Sequence, residues 1–272
     1  MNQFLKAAIY GLAVADALGV PYEFLTRGSF EAVEMVGYGS HQQPAGTWSD
    51  DTSLVLATCD SIREKGKIDP ADMQQRFKHW LFEGVYTPDG LTFDVGNATR
   101  EALTRGHGLS DEYSNGNGSL MRILPLAFTE ASPSDIEAVS SITHAHATSV
   151  EACQLYVDIA RRLLKGQQLS EILSGLETSK TYARLQTLAE LTEEDIRSSG
   201  YVVDTLEAAL WCLLTSTSYP ETVLKAVNLG DDTDTVAAVA GGLAGIIYGL
   251  EGIPDNWLAQ LRNKELLESC LF

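Results

Sequence analysis

The chain has 272 residues, of which 44% are hydrophobic, so it is long enough to bury a large core in one domain or two. Its formal net charge is -18 and its sequence pI is about 4.5, which argues against binding to a nucleic-acid backbone or an anionic membrane surface. Because no low-complexity linker and no solenoid repeat divides the sequence, we expect a single domain over residues 1–272.

The apolar N-terminus, MNQFLKAAIYGLAVADALGV, predicts an amphipathic helix that ends at Gly19. Lys6 and Asp16 interrupt the apolar run and no small-residue cleavage site follows it, which argues against a signal peptide. The four cysteines lie far apart and form no C-x-x-C pair, so the sequence indicates neither zinc nor disulfides. A cytoplasmic protein is therefore expected.

Helical periodicity dominates the rest of the chain, and alternating runs of strand length are almost absent. We expect an all-α fold, a compact bundle of many helices. After the first helix, the pattern predicts a helix that opens at 69–70 and helices over 50–65, 96–105, 119–128, 134–142, 149–165, 169–176, 204–214, 220–227, 235–250 and 255–268. The helix over 235–250 is nearly free of polar side chains, as a central helix packed on all sides would be.

Two adjacent aspartates stand at the start of the second helix, in the stretch GTWSDDTSL. In the simplest interpretation, Ser49 caps the helix, and the negative charges of Asp50 and Asp51 interact favourably with the positive N-terminal end of the helix dipole. That interpretation weakens because LGDDTDTVAAVAGGLAG crowds aspartates and threonines at the start of the helix over 235–250 as well. If that helix is central, Asp232 and Asp234 emerge in the middle of the bundle.

Several carboxylates in a buried place repel one another unless a cation joins them, so this pattern predicts a metal site. Four carboxylates indicate two ions, and hard oxygen ligands without cysteine favour Mg²⁺ or Mn²⁺ over zinc. A calcium-binding loop is excluded because its glycine and its final glutamate are missing. The stretch at 232–236 also matches the nucleophile motif of haloacid-dehalogenase-type phosphatases, but it lacks the preceding buried strand. The candidate ligands are Ser49, Asp50, Asp51, Asp232, Asp234 and Thr235.

A third stretch, SNGNGSLMR, is a glycine and asparagine turn that leads into a predicted helix. The free N–H groups of a first helical turn can bind a phosphate, and Arg122 would add a positive charge; an ordinary loop and cap explains the stretch about equally well. In THAHA, the spacing of His144 and His146 puts them on different helix faces, so joint chelation is not expected. Glu23 lies on a loop where a catalytic carboxylate can sit.

Taken together, ADALGVPYEF, GTWSDDTSL, NGNGSLMR, THAHA, GYVVDTLEAALW and LGDDTDT resemble the ADP-ribosylglycohydrolase family, which includes the dinitrogenase reductase activating glycohydrolase. The resemblance spans nearly the whole chain in the same order, and the paired motifs W-[TS]-D-D-T and G-D-T-D-T make it specific. It implies an all-α bundle with a binuclear Mg²⁺ or Mn²⁺ centre that removes ADP-ribose from protein side chains.

The resemblance also implies a role for each matching residue. Metal ligands would be the six candidates named above, and Glu23, Asp50 and Asp232 would act in catalysis. His144 would lie on the substrate side, and Tyr201 would line the adenosine end. The loop that holds the diphosphate and the distal ribose would comprise Asn115, Gly116, Asn117, Gly118 and Ser119.

Three positions depart from the family pattern. Ser49 stands where threonine is usual, Asp231 replaces a common glycine beside the second metal motif, and Ala15 replaces a glycine in the first helix. None of these changes removes a ligand, so a catalytically active member is expected.

The expected substrate is an ADP-ribosylated protein or a small ADP-ribose conjugate. An arginine linkage is slightly favoured because an acidic rim suits a guanidinium. Two rival functions stay open, a metal-dependent phosphohydrolase acting on a nucleotide diphosphate and a non-catalytic ADP-ribose-binding protein.

Overall fold

The structure, a computed structural model, describes residues 3–272 and consists of helices joined by loops. Short 3₁₀ helices occur between several of the α-helices. The α-helices are α1 (Gln3–Gly19), α2 (Asp50–Lys65), α3 (Pro70–Glu83), α4 (Asn97–Arg105), α5 (Pro133–Ser140), α6 (Ala147–Leu164), α7 (Leu169–Ser174), α8 (Val202–Leu214), α9 (Tyr219–Asn228), α10 (Thr233–Tyr248), α11 (Asp255–Gln260) and α12 (Lys264–Cys270).

The prediction of an all-α fold is confirmed. Within residues 3–272 the backbone forms isolated β-bridges but no strand. One of these bridges pairs Gly116 with Tyr201 and another pairs Leu109 with His144. Both bridges tie loops of the candidate site to neighbouring segments.

Helices α1 and α10 pack against each other at the centre of the molecule. A Cβ atom at Gly11 would lie 2.4 Å from the carbonyl oxygen of Gly241, so the two backbones touch where both helices carry glycine. As predicted, α10 is central: every residue from Thr233 to Ile246 is buried.

The prediction of an amphipathic first helix is wrong, because α1 is buried almost all round from Ala7 to Gly19. The stretch Gln3–Tyr22 is long and apolar enough to cross a membrane, with a mean hydropathy of 1.4, but 89% of its 18-residue apolar window is buried inside the protein. The polar residue Asp16 is buried too, and it accepts hydrogen bonds from the start of α2. We therefore interpret α1 as a core helix.

Three parts of the predicted helix pattern differ from the structure. The stretch over 119–128 forms two 3₁₀ helices, Leu120–Arg122 and Leu124–Phe128, because Pro125 lacks an N–H and disfavours the α conformation of the residue before it. The helix over 255–268 is broken at Asn263, whose φ of 43° is left-handed. The 3₁₀ segment Lys180–Glu190 was not predicted.

Candidate active site

The N-termini of α2 and α10 meet beneath a cleft, and each contributes acidic side chains. Asp51 and Asp234 are fully buried there. The Ser49 hydroxyl, at the N-cap of α2, donates to Asp51 Oδ2 at 3.0 Å, and the Thr235 hydroxyl of α10 donates to the same oxygen at 3.3 Å. The two sequence motifs, far apart in the chain, therefore converge on one carboxylate.

Three carboxylate oxygens of this cluster are buried and accept no hydrogen bond: Asp51 Oδ1, Asp232 Oδ1 and Asp234 Oδ2. A buried carboxylate oxygen without a partner is costly, and a bound cation removes the cost. Donor atoms of Glu23, Asp232 and Asp234 lie within 4.8 Å of one another. The cluster can therefore hold a metal, with oxygen donors of the kind that Mg²⁺ and Mn²⁺ prefer.

Asp16 of α1 supports this cluster from below, a role that sequence reasoning missed. Its carboxylate accepts hydrogen bonds from the Ser49 N–H at 3.0 Å, the Thr52 N–H at 3.0 Å and the Thr52 hydroxyl at 2.6 Å. These bonds fix the first turn of α2, so the Asp51 carboxylate is held in place. The available signal was a lone aspartate that interrupts an apolar run, which by itself points to no partner.

Glu23 and Asp94 form one wall of the cleft, and His41 lies against both without lining it; the sequence did not single out Asp94 or His41. His41 contacts Glu23 through Nε2, and the donor atoms of Glu23, His41 and Asp94 lie within 4.8 Å of one another. His41 ends a short 3₁₀ helix, and Asp94 lies in the loop before α4 with a left-handed φ of 50°. Neither residue belongs to a recognisable local motif.

Burial and mutual repulsion raise the pKa values of these acids. Burial, opposed by the contact with His41 and assisted by repulsion from Asp94 and Asp232, raises the pKa of Glu23 to about 7. Burial, followed by repulsion from Asp94 and Asp51, raises the pKa of Asp50 well above its usual range. In the absence of a cation, such a cluster binds protons instead.

The opposite wall is the glycine and asparagine loop, and the cleft between them has a volume of about 220 Å³. Asn117 donates from Nδ2 to Asp232 Oδ2 at 2.8 Å, which joins the loop to the acidic cluster. Gly118 has no room for a side chain, because a Cβ atom there would lie 2.6 Å from His144 Cε1. Gly116, Asn117 and Gly118 all line the cleft.

Three of the predicted substrate residues lie beside the cleft and do not line it. The buried Ser119 hydroxyl accepts hydrogen bonds from Ser140 at 2.9 Å and from the Cys153 thiol at 3.4 Å. The Asn115 amide donates to the Glu112 carbonyl. Tyr201 is 38% exposed at the N-cap of α8, next to Gly116.

His144 lines the cleft as a neutral imidazole. Burial, followed by the nearby Arg122 charge, lowers the pKa of His144 to about 3. Its Nδ1 lies 2.9 Å from the Thr143 hydroxyl, which also accepts a hydrogen bond from Arg122. This leaves the Thr143 proton free to be donated to Nδ1, an arrangement that favours an N–H on the Nε2 side of the ring.

The idea that Arg122 adds charge to the phosphate loop is wrong. Its guanidinium is fully buried and donates to the Val139 and Ser140 carbonyl oxygens as well as to Thr143. Instead, the first turn of α4 lines the cleft at Asn97, where free N–H groups of a helix N-terminus favour an anion.

The fold and the cleft together define a class: an all-α protein that brings two acidic helix N-termini beneath a polar ligand cleft. Comparison with known proteins identifies the family within this class. A family model described as ADP-ribosylglycohydrolase matches residues 3–271. The chain belongs to the ADP-ribosylglycohydrolase family, and it is a hydrolase that acts on glycosidic bonds.

Relatives and a solved structure agree with this assignment. The chain is 39% identical to the ADP-ribosylarginine hydrolase Tri1 of Pseudomonas putida (strain GB-1), covering 94% of this chain and 73% of the relative. It is 33% identical to the ADP-ribosyl-[dinitrogen reductase] glycohydrolase of Rhodospirillum rubrum, covering 94% and 90%. A solved structure titled ADP-ribosylglycohydrolase-related protein complex superposes with a TM-score of 0.83 at 34% identity, covering 98% of this chain and 95% of the other.

The departure at Asp231 has a conformational explanation. Its φ is 66°, in the left-handed region that glycine adopts freely and that aspartate tolerates better than most residues. The Asp231 side chain is exposed. Aspartate can therefore replace the family's glycine here without a change of backbone.

Proposed function

We propose that this protein hydrolyses the anomeric bond between ADP-ribose and a protein side chain, arginine first, using two Mg²⁺ or Mn²⁺ ions. The observation that carries the proposal is the set of three buried carboxylate oxygens without partners, contributed by both metal motifs. The arginine linkage is supported by the names of two relatives, the ADP-ribosylarginine hydrolases Tri1 of Pseudomonas putida and of Serratia proteamaculans.

In this proposal the ions are held by the six oxygen-bearing residues predicted from the sequence. The chemistry expected from such ions is orientation of ribose hydroxyls and Lewis-acid activation of water. The residues are Ser49, Asp50, Asp51, Asp232, Asp234 and Thr235.

Glu23 is proposed to move the proton that glycosidic hydrolysis requires. Because its pKa is raised to about 7, the carboxyl can donate a proton to a leaving group or accept one from water near neutral pH. The contact with His41 fixes the orientation of the carboxyl group. Asp50 and Asp232 complete the set of groups proposed to act in catalysis.

The glycine and asparagine loop is proposed to hold the ADP-ribose portion of the substrate. Gly116 and Gly118 let the backbone approach the diphosphate closely, and the N-terminus of α4, whose Thr99 lies beside Gly118, favours the same negative charge. His144 presents a neutral ring toward a ribose hydroxyl, and the exposed Tyr201 lies where the adenosine end would extend. Asn115 and Ser119 would hold the loop in shape.

We also propose that residues 1–272 fold as one domain in the cytoplasm. The buried apolar side chains form a continuous cluster that reaches from Leu5 to Leu271. All four cysteines are buried free thiols, which suits a reducing compartment.

The decisive experiment is a mass-spectrometric time course on ADP-ribosyl-arginine and ADP-ribosyl-serine peptides with Mg²⁺, Mn²⁺ or EDTA. We expect intact ADP-ribose to be released from the arginine peptide with either metal and not with EDTA. Release of AMP or phosphate instead would show a phosphohydrolase. Binding of free ADP-ribose without turnover of either peptide would show a binding protein.

A further inference from the structure

Phe24, the residue after Glu23, is exposed in a strained backbone conformation. Its side chain is 69% exposed, and its φ is 66°, a left-handed value that is unusual for a bulky residue. Two backbone hydrogen bonds with Asp231 maintain this conformation. The Phe24 N–H donates to the Asp231 carbonyl oxygen at 2.7 Å, and the Asp231 N–H donates to the Leu25 carbonyl oxygen at 2.9 Å. Strain that the surroundings enforce is typical of functional sites.

The Phe24 ring belongs to a row of rings that lies beside the Glu23 wall and does not itself line the cleft. Its centroid lies 5.8 Å from that of His41, and His41 lies 5.3 Å from Phe93. The carboxylates of Glu23 and Asp94 lie beside the same imidazole, within 4.8 Å of its donor atom. An aromatic surface therefore adjoins two acids at the mouth of the site.

The charges of the cleft determine which end of a substrate faces this wall. The diphosphate is repelled by Glu23 and Asp94, and it is attracted to the glycine and asparagine loop, where Gly118 lies beside Thr99 in the first turn of α4. Among the described residues that line the cleft there is no lysine or arginine. With its diphosphate at the loop, a bound substrate would direct its leaving group toward the carboxylates and Phe24.

We propose that Phe24 is a specificity-determining residue whose ring stacks on the guanidinium of an arginine leaving group. This inference rests on the proposed function and adds a basis for its linkage preference. A planar cation gains energy from both the ring face and the neighbouring carboxylates. A serine leaving group is neutral and makes neither of these favourable interactions. Loss of the ring should therefore slow cleavage of the arginine linkage more than cleavage of the serine linkage.

The test compares kcat/KM of Phe24→Leu with that of the wild type on ADP-ribosyl-arginine and ADP-ribosyl-serine peptides. We expect a fall of about 3- to 30-fold for the arginine peptide and less than about 2-fold for the serine peptide. The inhibition constant of free ADP-ribose should stay constant, which shows that the site remains intact. Phe24→Tyr keeps the ring and should retain most of the arginine activity.

The matched control is Phe82→Leu, which removes a phenylalanine that is 65% exposed on α3, a helix that contributes no residue to the cleft lining. This control variant should have the wild-type kcat/KM on both peptides. An equal fall on both peptides, or no change for Phe24→Leu, overturns the inference, as does wild-type cleavage of the serine peptide alone. If the wild type cleaves neither peptide, the proposed function itself fails, and the inference fails with it.

Discussion

The two carboxylate oxygens of Asp232 have different surroundings, which makes it the most informative single residue of the site. Oδ2 accepts the hydrogen bond from Asn117, and Oδ1 is buried without a partner. In Asp232→Asn, the shape is kept but an amide group replaces one of these oxygens. We expect kcat/KM to fall by more than about 100-fold in the hydrolysis assay, since even outer-shell changes at metal sites cost up to that much.

The neighbouring aspartate provides a matched control for this variant. Asp231→Asn makes the same chemical change at an exposed side chain, and asparagine also tolerates the left-handed φ. It should keep near wild-type activity, and both variants should have the helical circular-dichroism spectrum of the wild type. Full activity of Asp232→Asn would rule out the metal assignment, and inactive Asp231→Asn would indicate that net charge near the motif is responsible.

At the scale of elements, the site depends on how closely α1 and α10 approach. A Cβ atom at Gly241 would lie 2.5 Å from both Ala15 Cβ and the Gly11 carbonyl oxygen, and neither can move without shifting a helix. Gly241→Ala should therefore lower the free energy of unfolding by about 1–3 kcal/mol, as overpacking does. Urea denaturation measures this change.

Gly175→Ala is the control for this prediction, because a Cβ atom there would lie 3.5 Å from the nearest atom, in ordinary contact. It should change the free energy of unfolding by less than about 0.5 kcal/mol. A Gly241→Ala protein as stable as Gly175→Ala would mean that α1 and α10 are less closely packed than the structure indicates.

The elements that position the metal motifs could be predicted because their signals are local. The start of α2 at Asp50 follows from the cap at Ser49, and the central place of α10 follows from its run of alanine and glycine. The stretch over 119–128 could not be predicted as 3₁₀ from periodicity, because the period of an apolar face does not distinguish the two helix types over so few residues.

His41 and Asp94, beside Glu23, could not be predicted from the sequence for a different reason. His41 ends a short 3₁₀ helix and Asp94 lies in a loop, and they meet Glu23 only because three separate segments pack together. No spacing rule connects residues that far apart. Glu23 itself was found through the family resemblance, since one glutamate on a loop is a weak signal.

At the scale of the whole molecule, an acidic chain concentrates part of its charge in its own interior. The formal net charge is -18, and Asp16, Glu23, Asp50, Asp51 and Asp234 are all buried around one cluster. Acidic side chains are seldom buried unless they are paired, because each ionised group repels the others. The stability of the metal-free protein should therefore depend on the protonation of this cluster.

The sign of that dependence follows from the raised pKa values. Burial raises the pKa of Asp16 to about 6, against the lowering effect of its hydrogen bonds with Thr52 and Ser49, and burial raises that of Glu23 to about 7. In the unfolded chain these groups lose their protons near pH 4. The folded state thus binds more protons between pH 4 and 7, and the stability that they contribute is lost as pH rises through 6 to 7.

We therefore expect the free energy of unfolding in EDTA to fall by about 2 kcal/mol or more between pH 5 and pH 8. Saturating Mn²⁺ should remove most of that fall, because a cation stabilises the ionised carboxylates that the protons would otherwise neutralise. Urea denaturation at four pH values, with EDTA or Mn²⁺, measures both effects. Stability in EDTA that rises with pH over this range would contradict the prediction, since the buried acids would then have to be ionised and paired without metal.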